Sequence, residues 1–305
     1  MPYALPCLAG MASAQSRLRP VIHAEEPTVS TARRRLAIAC GCLVSVAAGA
    51  AIWAHPQAPK NDPPPQWVDT PTGRWMVHDE ARPAPPVVTP GVCGAQEAPA
   101  RPPADAVVLF DGKDLSNWSD VKGQPSKWVV RDGYMESVKG AGYIRSRQQF
   151  GSAQVHVEFA TPSVVTGTGQ GRGNSGVYVQ GKYEVQVLDS YENFTYPDGQ
   201  CGALYGRAVP LVNASCKPGQ WQTYDIIYHR PTFDESGKVT RKAVFTVIHN
   251  GILIQDHVAL EGGTEWTGPH SITAYEPHGD KGPLMFQDHA NPVRFRNVWI
   301  RELKD

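Results

Sequence analysis

From Asp105 to the last residue, apolar and polar side chains alternate in short runs broken by Gly, Asn, Asp and Pro. The runs read AVVLF, KWVVRDGYMES, GYIRS, AQVHVEFATP, SGVYVQG, KYEVQVLDS, WQTYDIIYHR, RKAVFTVIHNGILIQDHVAL, PLMFQDH and VRFRNVWIREL. Alternation with period two is the pattern of half-buried strands. Asn250-Gly251, between two such runs, predicts a tight hairpin. No amphipathic helix of any length is visible. Many short strands without helices predict an all-β sandwich or jelly roll, formed as one domain of about 200 residues.

Successive side chains of a strand point to opposite faces. In NSGVYVQG, Val177 and Val179 share one face, and Asn174, Tyr178 and Gln180 the other. In YEVQV, Val185 and Val187 oppose Glu184 and Gln186. In LMFQDH, Leu284 and Phe286 oppose Gln287 and His289. In QVHVEF, Val155, Val157 and Phe159 oppose His156 and Glu158, a pair that the pattern does not place in a groove or outside it. A polar face is usually a solvated one. Here it carries short amides, a phenol, an acid and an imidazole, groups suited to holding a polyhydroxylated ligand. Asp189 stands an odd number of residues from Glu184. It joins that face if a bulge intervenes at Leu188; otherwise it caps the turn DSYEN.

The first 104 residues have a different texture. Arg33-Arg34-Arg35 precedes LAIACGCLVSVAAGAAIWA, an uncharged run over residues 36–54. Residues 1–54 therefore read as a signal peptide or a membrane anchor, and the Ala- and Gly-rich composition favours cleavage. The rest of the chain is expected to be exported, periplasmic or extracellular, touching a membrane only through such an anchor. Residues 55–104 are a Pro-rich linker, in which Trp67, Trp75 and Val87-Val88 raise partial docking beside a plain-linker reading. Residues 105–305 form the domain.

The chain has 29 basic and 29 acidic residues in 305. This balance argues against a nucleic-acid partner. Export makes disulfides available. Cys201 and Cys216 flank one loop and are the expected pair, leaving Cys93 over. No cysteine spacing reads as a zinc site.

FDGKDLSNW, WVVRDGYMES, GNSGVYVQGKYEVQVLDSYEN, YPDGQCGALYGRAVPLVNAS, GQWQTYDIIYHRP and GPLMFQDHANPVRFRNVWIREL occur in this order. With RPAPPVVTPG before them, they resemble the 3-keto-disaccharide hydrolase domain family over roughly residues 83–305. The resemblance implies a concanavalin-A-like jelly roll of two antiparallel sheets whose concave face binds sugar. Laminarinase-type glucanases share that fold and carry Glu-x-Asp-x-x-Glu on a strand. Here Glu184-Val-Gln186-Val-Leu-Asp189 stands in a similar place, with Gln for the middle Asp and Asp for the last Glu. Retaining hydrolysis needs two carboxyl groups about 5–5.5 Å apart, and the altered motif speaks against it.

The resemblance implies instead cleavage of glycosides oxidised at C3, by elimination and hydration. That route needs a base near C2, stabilisation of the C3 oxygen and an acid at the glycosidic oxygen. His289 is the first candidate for base or metal ligand and Glu184 the second, for acid/base work or metal ligation; Asp189 follows. Arg172, Asn174, Tyr178, Gln186 and Gln287 are candidates to hold hydroxyls or the ketone. A divalent metal on Glu184, Asp189 and His289 is a candidate cofactor. Trp266 is the candidate sugar platform, whereas Trp118, Trp128, Trp221 and Trp299 read as packing residues. His249, at the hairpin, reads as a surface residue, and His270 and His278 as residues of a rim loop. The expected partner is an oligosaccharide or glycoside substrate. A non-catalytic lectin-like module and a laminarinase-type glucanase are the alternatives.

Overall fold

A computed structural model describes residues 63–305. The expected leader, with Cys7, Cys40 and Cys42, lies outside these residues.

In chain order the strands are β1 (Trp67–Thr70), β2 (Gly73–Met76), β3 (Val107–Phe110), β4 (Trp118–Asp120), β5 (Val129–Arg131), β6 (Tyr134–Glu136), β7 (Ile144–Phe150), β8 (Ala153–Ala160), β9 (Ser175–Val179), β10 (Tyr183–Val187), β11 (Gln222–His229), β12 (Thr232–Phe233), β13 (Val239–Arg241), β14 (Val244–His249), β15 (Ile252–Ala259), β16 (Trp266–Gly268), β17 (Ser271–Ile272), β18 (Gly282–Phe286) and β19 (Arg294–Glu302). Two 3-10 turns, Gly169–Gly171 and Pro197–Gly199, are the only helical pieces among the described residues. A five-stranded sheet runs β10-β9-β18-β7-β4, and an eight-stranded sheet runs β15-β14-β11-β8-β19-β6-β5, with β3 paired to β19. Neighbours in both sheets are antiparallel. This is the jelly-roll β-sandwich expected from the alternation.

The alternation also fixes the core. Val177, Val179, Val185, Val187, Leu284 and Phe286 of one sheet meet Val155, Val157, Phe159, Tyr224, Ile226, Phe245 and Phe295 of the other, all buried. Phe286 stacks on Phe295 across the interface, with ring centroids 4.3 Å apart. Each such side chain contributes roughly 1.5–3 kcal/mol by leaving water. At the β14–β15 hairpin, Asn250 (φ 52) and Gly251 (φ 78) adopt the left-handed conformation of a primed turn.

His249 is not a surface residue. Phe245, Val247 and His249 share the inward face of β14, so the period-two pattern itself carries His249 into the core. There it packs against Phe159 and Tyr224, and its Nε2 lies 3.0 Å from Gln222 Oε1. Burial lowers its pKa to about 3.

The expected disulfide is also corrected: Cys93 pairs with Cys216, while Cys201 is a free buried thiol 2.9 Å from the Tyr224 hydroxyl. The reason lies in the Pro-rich segment, which folds back on the sandwich. β1 and β2 form a hairpin, Val77, His78 and Arg82 are buried, and Val88 N–H donates to Asn213 O at 3.0 Å. That path carries Cys93 to Cys216, across 123 positions of sequence.

Candidate functional site

β10 is the edge strand of the five-stranded sheet, and its outer side is closed by remote loops. Glu184 N–H donates to Thr264 Oγ1 (2.8 Å), Gln186 N–H to Ala203 O (2.9 Å), and Tyr205 N–H to Glu184 O (3.2 Å). The closure satisfies an edge that would otherwise be exposed and walls the outer face of the sheet. Cross-strand partners share a face: Glu184 lies opposite Tyr178, Gln186 opposite Gly176, and Met285 opposite Tyr178. Tyr178, Glu184 and Gln186, with Asn174 and Gln287, line a pocket of about 460 Å³.

The pocket brings together Asn174, Tyr178, Glu184, Gln186, Gln287 and His289, six of the residues singled out in the sequence, together with Trp266. Glu184 is 3% exposed. Burial raises its pKa to about 8, with the Tyr178 hydroxyl pulling the other way. Space for its carboxyl exists because residue 176 is glycine: a Cβ there would lie 2.1 Å from Glu184 Oε1. Burial, together with the charge of Glu184, raises the Tyr178 phenol far above its ordinary range and keeps it protonated. His289 is exposed at the mouth of the pocket. No lysine or arginine lines it.

The amides are held by their donor ends. Gln186 Nε2 donates to Gln170 Oε1 (3.0 Å) and Gly199 O (3.1 Å), and Asn174 Nδ2 donates to Gln170 O (2.8 Å). Gln287 Nε2 donates to the Tyr143 hydroxyl at 2.8 Å. The opposite ends, Asn174 Oδ1, Gln186 Oε1 and Gln287 Oε1, have no partner. A buried acceptor without a partner carries a desolvation cost of about 1–3 kcal/mol. Ligand hydroxyls could remove that cost.

Asp189 and Arg172 stand apart from this group. After Val187 the chain leaves the strand, and Leu188 fills the core instead of forming the bulge that would bring Asp189 to the pocket. Asp189 accepts from Arg172 Nε at 2.6 Å and from Tyr191 N–H at 3.2 Å, so it caps the following turn. Arg172 is spent on that ion pair and on the Tyr191 carbonyl (2.8 Å), rather than reaching over the rim. Glu184, Asp189 and His289 are therefore not gathered as metal ligands, and no group of three or more His, Cys, Asp or Glu side chains is poised to hold a metal among the described residues.

Gln180 also departs from its expected face: at φ 52 it turns away and accepts from the Tyr228 hydroxyl. Sequence reasoning missed Tyr143, Tyr196, Tyr205 and Glu265, which line the same pocket from loops, and Gln170, which lines it from a 3-10 turn. Loops have no periodicity to read, and the nearest signal is the YPDGQCGALYG motif that carries Tyr196 and Tyr205. The Tyr196 and Tyr205 hydroxyls lie 2.8 Å apart.

His156 and Glu158 belong to the outside of the other sheet. They lie on β8 beneath residues 95–100, where the Ala100 N–H donates to Glu158 Oε1 at 3.1 Å.

The 3-keto-alpha-glucoside-1,2-lyase-like domain matches residues 105–301. The crystal structure of a candidate glycosyl hydrolase from Parabacteroides distasonis ATCC 8503 is 48% identical, with a TM-score of 0.64 over 73% of this chain and 93% of that one. A second candidate glycosyl hydrolase from the same organism is 20% identical, covering 66% of this chain and 94% of that one at a TM-score of 0.49. No curated protein matches the chain. The pocket of amides, phenols and a buried acid thus sits in a fold with a carbohydrate-related role, and the chain belongs to the 3-keto-alpha-glucoside-1,2-lyase-like family.

Proposed function

We propose that this protein is a carbohydrate-active enzyme that cleaves 3-keto-glycosides by elimination followed by hydration. The observation that carries the reading is Glu184, a buried carboxyl with a pKa of about 8 on the floor of a pocket that no lysine or arginine lines. A group that titrates near neutral pH can both take and give a proton.

A ketone at C3 acidifies the hydrogen on C2. A base removes that proton, the C1–O bond breaks with its electron pair going to the departing oxygen, and that oxygen is protonated. Water then adds across the resulting C1–C2 double bond and gives the free 3-keto sugar. Glu184 and His289 are the residues assigned to proton transfer. Tyr178 stays protonated and can donate to the C3 oxygen as negative charge develops there. The free oxygens of Asn174, Gln186 and Gln287 accept from ring hydroxyls.

Hydrolysis through a carboxylate pair on the strand motif fits less well, because Asp189 is committed to Arg172. The Cys93–Cys216 disulfide supports the further proposal that the protein works after export.

The test is incubation of the full chain with a 3-keto-disaccharide and with its unoxidised parent. Release of monosaccharide from the keto form alone is expected. Cleavage of the parent at a similar rate would overturn elimination, and binding of either sugar without release would favour a lectin-like role.

A further inference from the structure

Beside the main pocket lies a second compartment of about 490 Å³, lined by His78, Glu80, Tyr196, Trp266, Pro269 and His270. Tyr196 and Trp266 line both spaces, so the two adjoin. The second is as large as the first and can take a group of similar size. A smaller hollow of about 170 Å³ adjoins the main pocket through Tyr143, Tyr178 and Glu265.

His78 and Glu80 precede the family domain, which begins at residue 105. Their segment is nonetheless built into the wall. His78 N–H donates to buried Asp198 Oδ2 at 3.0 Å, and its ring packs between those of Tyr196 and Tyr205, with centroids 4.6 and 4.9 Å away. Gln66 N–H donates to His270 O (2.9 Å), Gln66 Nε2 to Ile272 O (2.9 Å), and His270 Nδ1 lies 2.7 Å from Val77 O. The compartment is therefore a fixed one.

We infer that this compartment holds the departing group of the substrate, and that this group is a second sugar ring. Two features point to a carbohydrate. Trp266 is 56% exposed, and its indole offers a flat surface to the C–H face of a pyranose at the junction of the two spaces. Glu80, His78 and His270 supply polar groups to the lining that ring hydroxyls could meet. The inference rests on the main pocket being the seat of the oxidised ring. It adds that residues outside the family domain select what is attached to that ring.

The experiment compares a 3-keto-disaccharide with the methyl glycoside of the same oxidised ring, using the full chain and its Glu80→Ala and Pro269→Trp variants. Glu80→Ala removes a charged hydrogen-bonding group and is expected to raise KM for the disaccharide by about tenfold. Pro269→Trp fills the space and is expected to do so more strongly. Both variants should leave the methyl glycoside unchanged. Equal effects on the two substrates, or none on the disaccharide, would overturn the inference. If the wild type turns over neither, the reading of the main pocket fails, and calorimetric titration with the unoxidised disaccharide decides the compartment by itself. Binding weakened by both variants supports it, and binding that is absent or unchanged in them contradicts it.

Discussion

On β8, His156 and Glu158 project from the outer face of the eight-stranded sheet; on β10, Glu184 and Gln186 project from the outer face of the five-stranded one. All four are buried. Glu158 faces Arg296 across the strand pair at 2.7 Å, and accepts as well from Asn297 (2.8 Å) and the Ala100 N–H. Burial would raise its pKa, but His156, Asn297 and Arg296 outweigh that and hold it low. His156 lies 2.7 Å from Asp225, and its ring stacks on Trp299. Burial would lower its pKa, yet Asp225 and Glu158 hold it at about 9. Glu184 has no such cation, and the amide oxygens around it have no partner. One sheet closes its polar face with countercharges and a covering segment. The other leaves its groups protonated or unpaired beside an open volume. A satisfied network fastens the molecule, and an unsatisfied one is available to a ligand.

Substitutions on the two faces should therefore fail in different ways. Glu184→Gln is expected to lower kcat by about 10²–10⁴-fold, the usual contribution of a positioned acid or base, while leaving the melting temperature unchanged or higher. Steady-state kinetics and calorimetry on one preparation check both halves. Arg296→Met removes the closer of the two cations that face buried Glu158, leaving His156 Nε2 at 3.9 Å, and is expected to cost up to about 3–5 kcal/mol of stability, read by urea unfolding, while the folded fraction keeps its activity. Gly176→Ala places a methyl group against the Glu184 carboxyl. Displacing a catalytic group by about 1 Å can cost roughly 10²-fold in rate, so this variant should fold and turn over slowly.

Taken per pH unit, the smallest of these effects is in the pH dependence of stability. Glu184 has its pKa raised from 4.5 to about 8 on folding, so between these values the folded state binds the extra proton. Its contribution makes stability fall as pH rises through that window, by at most about 1.4 kcal/mol per pH unit. His156, raised from 6.5 to about 9, lowers stability with rising pH between those values. Its contribution is complete below pH 6.5. Unfolding titrations of Glu184→Gln and His156→Gln should each flatten the curve in a different window, the acid side for Glu184 and the alkaline side for His156.

Sequence pattern revealed one half of this contrast. Val177 and Val185 against Tyr178 and Glu184 gave the strands, their faces and most of the pocket floor, because period two is a local property. It could not tell whether a polar face is covered. For β8 the answer depends on Ala95 and Ala100, which reach Arg296 and Glu158 from the Pro-rich segment. For β10 it depends on Thr264 and on the loop that carries Tyr196 and Tyr205. The error over Cys201 has the same origin, since Cys93 arrives from a segment read as linker. Asp189 failed for a local reason: Leu188 is apolar enough to stay in the core, so the bulge that would have redirected Asp189 does not form.

The central claim is that cleavage runs through removal of the C2 proton of an oxidised sugar ring, with Glu184 one of the two groups that move protons. The most direct measurement is turnover of a 3-keto-glycoside in D₂O, with mass spectrometry of the released 3-keto sugar and an enzyme-free control for spontaneous exchange. The account predicts one solvent deuterium at C2 of the product, formed at a rate that collapses in Glu184→Gln. Product released at full rate with hydrogen retained at C2 would contradict it.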